Sequence, residues 1–295
     1  MTTDALIRSP SPTRATIGTA RLIACYATVL GALPYLVLKV SWLTGGTIGL
    51  RDGSFLDSPA MDVGNAFTAG MDAVAILLAF ALTYPWGRRL PAPLVLFPIW
   101  VGTGFLAPIA LGIGFFVPDL LAPGAELPLR GWVWAVVYGG FAWQGFALLT
   151  AFTLYAKERW GHLLDGLRVP VNAGVFVAAG TGAVHVAWAF GAGFWGGDVD
   201  SLSQAAMNAV RGVLALAVVA IALTRGWAAA VLAWVPAAAM FSWAFWDLFV
   251  TVAAKPLAHA SAPHLIFSAV QLLGGAALAV ALVRAVPRRA VLPRT

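Results

Sequence analysis

The chain has 295 residues, 61% of them hydrophobic and only 10% charged, with a formal net charge of +6 and a mean hydropathy of +0.86. That is more apolar sequence than a soluble domain of this size needs for its core, so the bilayer must be the solvent for most of the chain. Runs of about 20 apolar residues without strand-like alternation exclude a barrel and predict an all-α, polytopic membrane protein.

Residues 1–19, rich in Ser, Thr and Pro with scattered arginines, are expected to be a disordered cytoplasmic tail. The apolar run behind them is too long for a signal peptide, and no small-residue cleavage site closes it. Eight transmembrane helices are predicted, at roughly 20–43, 65–85, 91–117, 131–156, 170–195, 204–224, 227–253 and 262–285. The first carries Pro34 and then Lys39 and Trp42 near its outer end. The second presents Asn65, Thr68 and Asp72 on one helical face, the third holds Pro98 and Pro108, and the fourth holds Gln144. Residues 157–169 read as an amphipathic cytoplasmic linker whose Trp160 and leucines suit the headgroup layer. The fifth span has Gly174, Ala178 and Gly182 at spacing four, a small-residue stripe that lets another helix approach closely, and closes on His185 and Trp188 before a run of glycines. The sixth presents Gln204, Asn208 and Arg211 on one face. The seventh has Pro236 and, near its outer end, Trp243, Trp246 and Asp247; the eighth has Gln271, ahead of a basic tail at 286–295.

Charge sets the orientation. With both termini on one side, 13 lysines and arginines fall on the terminal side and only Arg51, Arg130 and Lys255 on the other, which carries most of the loop aspartates. By the positive-inside rule both termini are cytoplasmic, as expected of a multi-pass protein of the plasma membrane. The basic balance reports topology and attraction to anionic lipid headgroups, and nucleic-acid binding has no support. The lone Cys25 excludes an intramolecular disulfide and a cysteine-based metal cage.

The two halves echo each other. Lys39-Val40-Ser41-Trp42 and His185-Val186-Ala187-Trp188 both run into glycines; the polar faces of the second and sixth spans match; so do Pro98 with Pro236 and Gln144 with Gln271. These matches predict two parallel four-helix repeats, 20–156 and 170–285, related by an axis along the membrane normal. The segment from His185 to about Arg284, opening with His-x-x-Trp-Ala-x-Gly, resembles a small family of four-helix bacterial membrane proteins common in actinobacteria and of unknown function. The resemblance implies that the first half is a diverged copy with Lys39 where the histidine is expected, and it implies no activity.

Ionisable residues inside a membrane cost about 2.5–3.5 kcal/mol each on insertion scales and mark functional interiors by default. Lys39, Asp72, Gln144, His185, Asn208, Arg211, Asp247 and Gln271 concentrate in the outer half. They are expected to line one outward-facing polar cavity between the repeats, flanked by Trp42, Trp188, Trp243 and Trp246, with Lys39–Asp72 and Arg211–Asp247 as ion pairs. Lys39 and Asp247, close to span ends, also suit plain snorkelling. Paired histidines for haem, a zinc motif, a phosphate loop and an aspartate-rich magnesium motif are all missing, so no metal and no cofactor is expected. Three readings stay open: binding or transport of a small, partly apolar molecule; a membrane-embedded acid–base enzyme with His185 as proton carrier; and a non-catalytic subunit of a larger complex.

Overall fold

The computed structural model describes residues 18–116, 128–197, 199–253 and 261–286. The two terminal tails, bar a residue or two, and the loop charges Asp119, Glu126, Asp198 and Lys255 lie outside the described residues. Among those described, the fold is eight α-helices: α1 (Thr19–Leu43), α2 (Pro59–Thr83), α3 (Ala92–Gly112), α4 (Gly131–Leu164), α5 (Ala173–Ala189), α6 (Leu202–Ala217), α7 (Gly226–Ala253) and α8 (Ala262–Ala285). Short 3₁₀ turns join or extend them, notably Val218–Leu223 after α6.

Seven of these helices, α6 taken together with its 3₁₀ extension to Leu223, are long and apolar enough to cross a membrane; α5, at 17 residues, is shorter. At about 1.5 Å per residue it spans about 25 Å, less than a hydrocarbon core of about 30 Å. It is cut short at both ends by local chemistry. Asn172 accepts the Gly174 N–H at 2.8 Å as its N-cap, and Gly191, at φ +87°, turns the chain away beyond Phe190. Helix α2 starts six residues ahead of the expected Asn65, because Ser58 accepts the Met61 N–H and Pro59 takes the first helical position. Helix α4 continues without a break through Lys157–Leu164, so most of the expected linker is helix.

The distribution of side chains is that of a membrane protein. Large apolar residues such as Ile23, Leu30, Leu77, Phe97, Phe146, Phe176, Leu273 and Val283 face outward, while Arg21, Lys39, Asn65, Asp72, Gln144, His185 and Gln271 are buried. In water that arrangement would expose far more apolar surface than a monomer tolerates; in lipid the same outward face is the solvated one.

The helices pack as two groups of four. In the first, α1 lies against α2 and α4, and α3 against α4; in the second, α5 lies against α6 and α8, and α7 against α8. Small residues make the close approaches: Gly31 against Gly140 and Gln144, Gly182 against Gly212, and Gly174 against Gly274 and Leu278. The Gly174, Ala178 and Gly182 stripe is therefore a packing surface between α6 and α8. The groups join mainly along α3 and α7. There Gly104 sits directly on Ala238 and Ser242, Ser242 donates to the Val101 carbonyl at 3.0 Å, and Trp100 packs on Phe241 at 4.9 Å.

At the end of the bundle where α1 begins, a network that the charge count did not anticipate ties the first group together. Buried Arg21 pairs with Glu158 at 2.5 Å and donates to the Leu82 carbonyl, and Arg88 reaches the same carboxylate at 2.6 Å. Tyr155 donates to the Gly87 carbonyl at 3.2 Å, and Arg159 to that of Leu90 at 3.1 Å. At the opposite end, the loop after α1 is pinned to the start of α4 by a single antiparallel bridge, Leu50 with Leu129.

Candidate functional site

The eight polar residues singled out from sequence fall into two groups, one in each set of four helices, and among the described residues no hydrogen bond or ion pair links the groups. These contacts do not trace the single cavity expected between the halves. The seam between α3 and α7 is filled by glycine, alanine and aromatic side chains, which leaves each polar group inside its own half.

In the first half the group is built on α1, α2 and α4. Lys39, near the end of α1, is 6% exposed and donates to Asn65 Oδ1 at 2.7 Å. Its ammonium lies 4.6 Å from the Tyr35 ring centre and 5.0 Å from that of Trp42, residues four before and three after it on the same helix. Trp42 in turn donates its indole N–H to the Ile48 carbonyl at 2.9 Å, which fixes the turn that follows. Two helical turns along α2 from Asn65, Asp72 is 4% exposed, and the Gln144 side chain of α4 faces its carboxyl group. The expected Lys39–Asp72 ion pair is not made directly: the amine turns to Asn65, and Asp72 Oδ2 is buried with no hydrogen-bond partner. Tyr35 points its hydroxyl toward Thr68, one turn from Asp72.

In the second half the group is built on α5, α6 and α8. His185 is 1% exposed; its Nδ1 lies 3.0 Å from Asn208 Oδ1 and its Nε2 3.0 Å from Gln271 Oε1. Gln271 also donates its Nε2 to the Met240 carbonyl at 3.4 Å. That second bond orients the amide with its oxygen toward the histidine, so Nε2 carries the imidazole proton. A neutral ring protonated at Nε2 would accept at Nδ1, whereas Asn208 presents its Oδ1 there, so a hydrogen bond on that side would need the Asn208 amide turned over. Trp188 and Phe267 stack edgewise on the ring at 5.1 and 5.4 Å, and Trp188 donates to the Phe194 carbonyl at 2.9 Å. Beside this group Arg211 pairs with Asp247 at 3.3 Å, as expected from sequence, and lies 5.4 Å from the Trp243 ring.

The two groups share a plan: a long polar residue on the first helix, an asparagine on the second, a glutamine on the fourth, and a tryptophan that ties the first helix to its exit turn. Asn65 lies seven residues after the cap Ser58, and Asn208 seven after the cap Ser201. The face match drawn from sequence, Asn65 with Gln204 and Thr68 with Asn208, is therefore one turn out of register. The capping serines were the available signal, since they set where each helix begins. Tyr35 was legible too, one helical turn before Lys39, but it was not singled out.

No protein-family model matches the chain, and no curated protein or solved structure is detectably similar to it.

The groups differ in where their unpartnered polar atoms lie: on the Asp72 carboxylate itself in the first, and beside the His185 contacts, at Arg211 Nε, Trp243 Nε1 and Ser268 Oγ, in the second. In the second, both ring nitrogens of His185 are engaged and Gln271 has partners on both sides. In the first, Lys39 uses one of its three N–H bonds on a hydrogen bond, and one carboxylate oxygen of Asp72 is left bare. Among the described residues no group of three His, Cys, Asp or Glu side chains stands close enough to hold a metal ion.

Proposed function

We infer that this multi-pass membrane protein is a tandem of two four-helix units in the same orientation, with both termini cytoplasmic in the plasma membrane, and that it is a binding or transport protein for a small, partly apolar molecule. The first unit holds the binding site, among Lys39, Asn65, Asp72 and Gln144; the second is its diverged structural copy. The shared helix order of the two polar groups and the His-x-x-Trp-Ala-x-Gly phrase support the duplication and the kinship with the four-helix family of unknown function.

One observation carries the reading. A buried carboxylate oxygen without a partner costs free energy in any fold and more in a bilayer, so its retention beside an under-used ammonium calls for an occupant. The occupant would offer a hydrogen-bond donor to Asp72 Oδ2 and an acceptor to Lys39, with an apolar body against Tyr35 and Trp42. The acid–base reading of His185 fares worse, because a proton carrier needs a ring nitrogen free to meet substrate, and both are spoken for.

The test is ligand-induced stabilisation and flux in proteoliposomes across a panel of small zwitterionic and amide solutes. At least one solute is expected to raise the unfolding midpoint of the wild type, and the response should be lost in Asp72→Asn and Lys39→Met. Asp72→Asn alone should fold about as stably as the wild type, since it trades a carboxylate with an unpartnered buried oxygen for a neutral amide. Variants that respond as the wild type does would move the site away from this cluster.

A further inference from the structure

At the basic end of the second half, α5 begins deep. Gly174 packs beside Gly274 and Leu278, and α8 runs on past them to Ala285, which leaves its last two turns, about 10 Å, without α5 alongside. The recess is occupied by two adjoining cavities that share Pro170. One, of about 470 Å³, lies between Val169–Val171 and the 3₁₀ end of α6, with Arg168 and Arg225 in its lining; the other, of about 380 Å³, lies between Asn172 and α8, with Arg284 in its lining. Apolar side chains in their walls are turned outward: Leu223 is 89% exposed, Val171 51% and Val280 47%. Arg168, Arg225 and Arg284 are exposed and, unlike Arg21, Arg88 and Arg159 at the same end, make no hydrogen bond or ion pair with any described residue.

We propose that this recess is a binding site for a two-chain anionic phospholipid, its phosphate held by Arg168, Arg225 and Arg284 and one acyl chain lying on each side of Pro170. Charge complementarity selects the occupant. Three unpaired guanidiniums in the linings of two adjoining cavities favour an anion, and guanidinium matches phosphate oxygens in pairs. The outward-facing Leu223, Val171 and Val280 require that the anion carry hydrocarbon. The chain's own tails are a poor fit, because Arg8 and Arg14 at one end and Arg288, Arg289 and Arg294 at the other repeat the charge of the rim. In the first turn of α5 the Gly174 and Val175 N–H groups are already taken by Asn172, so the rim arginines rather than the helix end would hold the anion. This site is independent of the Asp72 cluster and stands or falls without it.

The experiment is native mass spectrometry of the full chain in neutral detergent, titrated with dioleoylphosphatidylglycerol or dioleoylphosphatidylcholine. The wild type is expected to retain the glycerol lipid preferentially. Each of Arg168→Gln, Arg225→Gln and Arg284→Gln should weaken that retention about five-fold, and the triple variant should treat the two lipids alike. Arg89→Gln, equally basic and exposed but outside the recess, should behave as the wild type. The proposal is overturned if the triple variant keeps the preference, or if Arg89→Gln loses as much as a rim variant, which would reduce the effect to general charge. It is also overturned if millimolar inorganic phosphate displaces the lipid, since the recess would then read a free anion. All four arginines are exposed and unpaired, so unfolding midpoints in detergent should stay level across the set and exclude misfolding as the cause.

Discussion

Replacing Gly104 by alanine is expected to cost about 3 kcal/mol and to loosen the seam between the two halves. Gly104 is the point at which α3 touches α7 most closely: a β-carbon there would overlap the Ala238 carbonyl oxygen and the Ser242 hydroxyl. The obstruction is largely backbone, which cannot rotate aside as a side chain would, so the helices must separate. Separation also stretches the Ser242 bond to the Val101 carbonyl and the Trp100–Phe241 contact. Gly102→Ala is the internal control, because its β-carbon would meet only Leu148 at 4.0 Å, an ordinary contact. Alanine is the better helix former by about 1 kcal/mol, so Gly102→Ala should be neutral or stabilising. Thermal unfolding of the purified protein in detergent separates the two: a drop for Gly104→Ala no larger than the change for Gly102→Ala would mean that the halves are not held together at this seam.

His185→Ala is expected to destabilise by a similar amount, about 3 kcal/mol. Two hydrogen bonds inside a membrane contribute about 1–2 kcal/mol together, and emptying a site lined by Trp188 and Phe267 adds a cavity term of about the same size. The amides of Asn208 and Gln271 would be left facing a void. The contrast with Asp72→Asn is what gives the measurement its meaning. Because both His185 nitrogens are engaged and Asp72 Oδ2 is not, the two substitutions should move the unfolding midpoint in opposite directions or, at the least, only the histidine change should lower it. An alanine at 185 that leaves the midpoint where it was would contradict the packing role assigned here to His185.

The helices of this protein are legible in its sequence, because apolar runs and terminal signals are local. Helices α1, α7 and α8 begin and end within a residue or so of where hydropathy puts them. Departures occur where a short-range signal was outweighed: Ser58 and Pro59 start α2 early, Asn172 and Gly191 trim α5 at both ends, and α4 ignores the polarity of Lys157–Arg159 because those side chains find partners on neighbouring elements. The polar residues were legible as a set, and Arg211 with Asp247 also as a pair. Their grouping was not. Whether Lys39 meets Asp72 or Asn65 depends on how α1 and α2 sit against one another over two helical turns, a register that the charges themselves do not set. Likewise Arg21 entered the sequence reading only as a positive charge near the first span, since nothing local says that Glu158, 137 residues away, will come to meet it.

The continuity of α4 bears on how the protein can move. Its 34 residues make a rod of about 51 Å, which projects well beyond a hydrocarbon core of about 30 Å. The projecting tip is seated in the other half, with Leu164 and Leu167 in the cluster around Ala229 and Ala230, and Gly226 donating to the Leu167 carbonyl at 2.8 Å. The joint between rod and socket is Gly166, at φ +71°. The two halves are therefore fastened at this end as well as along α3 and α7, and any parting here has to break that apolar packing and the Gly226–Leu167 bond together.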